Sequence, residues 1–170
     1  MAEQTRTRPL TGARTLGALA LLVIGAVHYQ QYRYAFYSSI PTIGALFLVN
    51  FLSATALGLL LLAPLRSWLG RAGGVLHEVA ALAGIGVAAG GLIALLISEH
   101  TPLFGFMEHG YRFVIVLAIA SDAAAITTLT LFLSRAHAGA RRPGGAHESP
   151  GRPSNVECRN QRPVVPATER

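Results

Sequence analysis

Asp122 sits in the middle of a long apolar run, Phe113 to Leu133, whose other polar residues are Ser121 and three threonines. If that run crosses a membrane, an ionised carboxylate there costs about 2.5–3.5 kcal/mol even on the lenient insertion scale. An aspartate in such a place either packs one helix against another as a protonated or hydrogen-bonded group, or takes up a proton or a cation. His28 and Asn50 also interrupt apolar stretches. Two Glu-His twins, Glu99-His100 and Glu108-His109, flank Leu103–Met107. Their residue types suit ligand or metal binding, but adjacency alone imposes no ligand geometry, so no metal is assigned. Haem b would need two histidines on facing helices. His28 and His77 fall near helical stretches but at opposite ends of them, which leaves only His28 with His100 or His109. No cofactor is expected.

Other chemistries lack their signals. The chain has no phosphate-cradling G-x-x-x-x-G-K-[ST], no G-x-S-x-G elbow and no H-E-x-x-H. Its single cysteine, Cys158, can form neither an intramolecular disulfide nor a multi-cysteine metal site. The expectation is a protein that is not an enzyme.

The elements that must hold these residues follow from the distribution of apolar residues. Hydrophobic residues make up 52% and charged ones 13%, about half the usual share of charge in a soluble domain. Four apolar blocks predict an all-α, membrane-spanning four-helix bundle over 15–135, with helices near 15–34, 42–63, 75–98 and 113–135. Each is long enough for a hydrocarbon core of about 30 Å at about 1.5 Å per residue. Residues 1–14 read as a disordered leader and 136–170 as a disordered basic tail, since neither can bury enough apolar surface to offset ordering entropy. The first block also fits a signal peptide, but it runs directly into His28-Tyr29-Gln30 without a small-x-small cleavage site, which favours a retained helix. Tyr29, Tyr32, Tyr34 and Tyr37 form an aromatic belt ahead of Pro41, at the level where hydrocarbon meets headgroup. Residues 65–74, with Arg66, Trp68 and Arg71, read as a basic interfacial loop.

The third block carries Ala80, Gly84 and Ala88 at spacing four, with Gly86, Gly90 and Gly91 beside them. Small residues let helix backbones approach in lipid, either within the chain or across a homodimer or larger complex. The net charge of +6 comes from arginines with no lysine. They flank apolar blocks and fill the tail rather than striping a surface, so nucleic acid is not an expected partner. The partners expected are the bilayer itself and, for the tail, anionic lipid, at about 1 kcal/mol per arginine near the surface. Twelve of the fourteen arginines lie in the leader, the 65–74 link or the tail with Arg135 at its border, leaving Arg33 and Arg112 in the other two links. The positive-inside rule then places both termini in the cytoplasm of a multi-pass plasma-membrane protein.

The run Ile40-Pro41-Thr42-Ile43-Gly44 leading to Leu46-Phe47-Leu48-Val49-Asn50, with His28 before it and Leu103-Phe104-Gly105-Phe106 and Glu108 after the third span, resembles uncharacterised small four-span membrane proteins of high-GC Gram-positive bacteria. The resemblance covers about 13–135 and implies architecture, not activity.

Depth along the spans brings the polar residues together. At about 1.5 Å per residue, His28 lies roughly 9 Å, Asn50 roughly 13 Å and Asp122 roughly 15 Å below the outer surface. Each is costly against lipid, so each should turn inward. The expected cluster has Asp122 hydrogen-bonded to Asn50 directly or through water, His28 above them, and Leu103 to His109 as a lid. On that reading Asp122→Leu loosens the bundle by stranding Asn50. The functional expectation is a non-catalytic accessory or partner-binding membrane protein. The alternatives are a small dimeric transporter or proton-coupled carrier using Asp122, and an outer-face haem- or metal-binding protein.

Overall fold

The computed structural model describes residues 2–35, 41–101 and 113–140. Five helices make up this part of the chain: α1 (Ala2–Tyr34), α2 (Pro41–Leu62), α3 (Leu65–Leu69), α4 (Arg71–His100) and α5 (Phe113–Ala140). Among the described residues there is no strand. All but α3 are long and apolar enough to cross a membrane, so the fold is an all-α bundle of four spans. Large apolar side chains cover its outside, including Leu52, Leu59, Val79, Leu82 and Val116. In water such a surface would be an aggregation liability; in lipid it matches the solvent.

The helices outrun the expected bounds. The segment read as a disordered leader is helical from Ala2, and α5 continues past Arg135 to Ala140. An established helix extends at one hydrogen bond per residue fixed, without a new nucleus, and the flanks hold good helix formers (Ala, Arg, Gln, Glu). The 65–74 link is likewise not a plain loop, because it contains α3 and the first turn of α4. Residues 141–170, Tyr37, the Glu108-His109 twin and the expected Leu103–His109 lid lie outside the described residues.

Around the bundle, α1 and α4 each pack between α2 and α5; α1 also touches α4 across one diagonal, while α2 and α5 do not meet. Neighbours run antiparallel. A Cβ at Gly25 would face Thr55, whereas one at Gly58 would face Ala18 and Leu22 further back along α1. The first span is the most enclosed, with 44% of its apolar window buried against 17% for the second, because it packs closely along both α2 and α5. The close contacts use the absence of side chains. A Cβ on Gly84 would come within 2.8 Å of Leu21 and 3.1 Å of Leu129, so glycine there lets α4 reach both α1 and α5. Gly84 and the buried Ala80 and Ala88 thus serve packing within the chain.

Leu21, Ile24, Leu61 and Leu129 are fully buried or nearly so, and with alanines such as Ala18, Ala54 and Ala81 they fill the half of the bundle near the α2–α4 connection. This layer sets the helix spacing. Toward the other end the inward positions fall to Gly86, Gly90, Gly91, Ala94 and Ala118. Helices held apart by leucines but lined by glycine and alanine leave space between them. That space is the site.

Candidate functional site

The space is a cavity of about 330 Å³ walled by α1, α2, α4 and α5. Its lining is largely apolar, with Val27, Phe47, Val87, Leu95 and Ile115 among the residues on it. His28, Asn50 and Asp122 line it together. They gather where α4 has no side chain: a Cβ on Gly91 would lie 3.2 Å from Asn50 Nδ2, 3.8 Å from Asp122 Oδ2 and 4.0 Å from His28 Cε1. Three spans therefore deliver one polar group each to a point on the fourth.

Each group is held differently. The His28 ring Nδ1–H donates to the Ile24 carbonyl one turn back, at 2.9 Å, and the ring packs on Phe47 at 5.2 Å between centroids. A carbonyl only accepts, so this bond puts the proton of the neutral ring on Nδ1 and leaves Nε2 as an acceptor. Asp122 is 2% exposed. Its Oδ1 and the Oδ1 of Asn50 are both buried without a hydrogen-bond partner among the described residues. The Asn50–Asp122 bond expected from matching depth is therefore not made at these oxygens. Ser121, next along α5, spends its hydroxyl on the Leu117 and Ala118 carbonyls, at 2.8 and 2.9 Å, and gives Asp122 nothing.

The Glu-His twin that is described does not join this group. His100 is exposed at the end of α4, where its Nδ1–H donates to the Leu96 carbonyl at 2.9 Å. Neither Glu99 nor His100 lines the cavity. Among the described residues no three of His, Cys, Asp and Glu stand where they could hold a metal ion.

A second polar cluster occupies the opposite end, and the sequence did not single it out. His77, 2% exposed, donates from Nε2–H to the Ala63 carbonyl at 3.1 Å. That bond joins the Leu65 N–H, at 2.9 Å, on one of the carbonyls that a helix end leaves without an intrahelical partner. Arg14 Nη1 donates in turn to His77 Nδ1 at 3.2 Å. The chain Arg14–His77–Ala63 thus ties α1, α4 and the end of α2 together. Its role is structural, and the expected effect of removing it is a loss of stability. His77→Ala leaves the Ala63 carbonyl, among the described residues, with only the Leu65 N–H, at 2.9 Å, and takes from Arg14 its acceptor, which should cost about 1–3 kcal/mol in unfolding by SDS. A variant as stable as the parent would show that the tie contributes nothing.

Gly91 is the site residue that sequence reasoning did not identify. It was legible as one of several small residues on the third span, and nothing in its neighbours marks it as the point opposite three polar groups. Set beside known proteins, the chain matches no family model, no curated protein and no solved structure.

Proposed function

We propose that this chain is a non-catalytic multi-pass protein of the plasma membrane, both termini cytoplasmic, that holds a small amphiphilic molecule inside the bundle, alone or as the accessory subunit of a larger membrane complex. The observation that carries this reading is the cavity with a buried Asp122 at its wall, whose Oδ1 has no hydrogen-bond partner among the described residues. Its volume falls at the low end of the range for small-molecule sites, about 300–1,000 Å³, and an apolar wall with a few convergent polar groups is the usual character of such sites. An unsatisfied buried oxygen costs about 1–3 kcal/mol, which a purely structural bundle has no reason to keep. The orientation rests on the arginine distribution, and kinship with the four-span proteins of high-GC Gram-positive bacteria rests on the Ile40–Asn50 run.

Gly90 offers the direct test. It lines the cavity, and a Cβ there meets nothing within 4 Å, so Gly90→Phe should fill the space without forcing helices apart. Organic extracts of the purified parent should contain a small amphiphile, at near-stoichiometric level by mass spectrometry, that Gly90→Phe lacks. Equal amounts in both would overturn the reading. Reporter fusions after Tyr34 and after Ala140 should report opposite sides of the membrane; the same side at both would overturn the topology.

The same aspartate supports a second reading, a dimeric proton-coupled carrier. Four spans enclose too little for a complete path, so this reading needs a partner copy. It requires uptake into proteoliposomes that Asp122→Asn abolishes, whereas binding without uptake leaves the holding role alone.

A further inference from the structure

We infer that the cavity at Gly91 takes a lipophilic organic cation, an apolar body carrying one protonated amine, with Asp122 as its counter-charge. This rests on the pocket reading above and adds the sign of the ligand's charge and the chemistry of its head group.

The electrostatics of the walls carry the inference. Asp122 is the acidic residue among the described lining, and no ion pair reaches it from the described residues. Among the described residues no arginine lines the cavity: Arg14 is engaged with His77 at the far end, and Arg33 is exposed at the end of α1. His28, the other titratable lining residue, has already committed its Nδ1–H to Ile24. The polar side of the cavity therefore offers the Asp122 carboxylate as its charged group, the His28 Nε2 acceptor, and neutral groups of Asn50, Gln31, Ser53 and Ser98. A neutral ligand would leave the carboxylate uncompensated, and an anion would meet a like charge in surroundings of low dielectric. An ammonium reverses both problems. It supplies N–H donors and neutralises Asp122 where an unpaired charge is most costly. Phe47, on the same wall as His28, adds a π face of the kind that attracts organic cations. The remaining lining is apolar and suits a hydrocarbon or aromatic body. A strongly hydrated inorganic cation would find too few oxygens to replace its water.

A matched pair of probes separates charge from shape. Naphthylmethylamine is protonated at neutral pH, and naphthalenemethanol has nearly the same size and no charge. Each is equilibrated by dialysis with the full chain in zwitterionic-lipid nanodiscs, with empty nanodiscs as the partition reference. The amine should be retained above the empty discs at least tenfold more tightly than the alcohol. Asp122→Asn should bring the amine to the level of the alcohol, and the alcohol itself should bind this variant as it binds the parent. Helix content by circular dichroism verifies that the variant is folded, and Asp122→Glu, which keeps the charge, should retain the preference for the amine. Equal affinity for amine and alcohol, or an amine affinity unchanged in Asp122→Asn, overturns the cation inference and leaves the pocket reading standing. Retention of neither probe above the empty discs overturns both.

Discussion

Replacing Asp122 with leucine should make the empty protein more stable, by about 1–3 kcal/mol in SDS-induced unfolding, while removing its ability to hold a ligand. The argument starts from Oδ1, which is buried and has no partner among the described residues. In the unfolded micellar state the carboxyl regains water, so folding carries its desolvation with nothing on the chain to offset it. Leucine carries no such group: it has the same number of side-chain heavy atoms, with two methyls in place of the two oxygens, and the adjoining cavity has space for their slightly larger bulk. The depth argument from sequence alone predicts the reverse, a loosened bundle, because it gives Asn50 a bond to Asp122. In the structure the Asn50 Oδ1 has no such bond to lose. A variant gaining stability as it loses binding has the signature of a functional group kept at the expense of the fold. If Asp122→Leu is instead less stable than the parent, Asp122 is a structural latch and the pocket reading loses its main support.

Gly73→Ala should be the most damaging single methyl that can be added to the described part of the bundle. At most of the other glycines a new Cβ meets open space or side-chain atoms that can rotate. At Gly73 it would overlap the carbonyl carbon and oxygen of Leu65 and lie 2.9 Å from the Arg66 nitrogen. Backbone of α3 cannot rotate aside, so α3 must lift away from α4. The elbow has little slack: Gly70 turns it with φ at 55°, a conformation that favours glycine, and the Gly70 N–H donates back to the Arg66 carbonyl at 3.1 Å. One turn beyond Gly73, His77 holds the Ala63 carbonyl, so displacement of α3 also strains the tie to Arg14. The expected cost is about 3 kcal/mol, the upper end for overpacking. Gly86→Ala is the control, since its Cβ meets nothing within 4 Å, and glycine to alanine in an unhindered helix is worth up to about 1 kcal/mol in favour of folding. The two substitutions should thus move the SDS midpoint in opposite directions. Equal midpoints would show that the elbow relaxes freely.

The amino-acid sequence by itself determined the class of protein and the number of spans. A helix satisfies its own backbone polar groups, so a sufficiently long apolar block in lipid has essentially one outcome, and block length and composition can be read off the chain. Depth was legible for the same reason: rise per residue is constant, so His28, Asn50 and Asp122 could be set at similar levels before any packing was known. Helix ends were less legible, as at Ala2 and Ala140, because propagation from a stable span carries helix into flanks whose composition alone reads as disordered. Rotation of each helix about its axis, and which helix stands beside which, were not legible at all. Those depend on how leucines and glycines on different spans mesh, as where Gly84 admits Leu21 and Leu129. Tertiary structure therefore decided that the three polar residues meet at Gly91, that Asp122 and Asn50 share a cavity with their Oδ1 atoms unpartnered, and that His77 closes the far end of the bundle with Arg14. The physical reason is that depth is a property of one helix, whereas contact and empty volume are properties of several helices packed together.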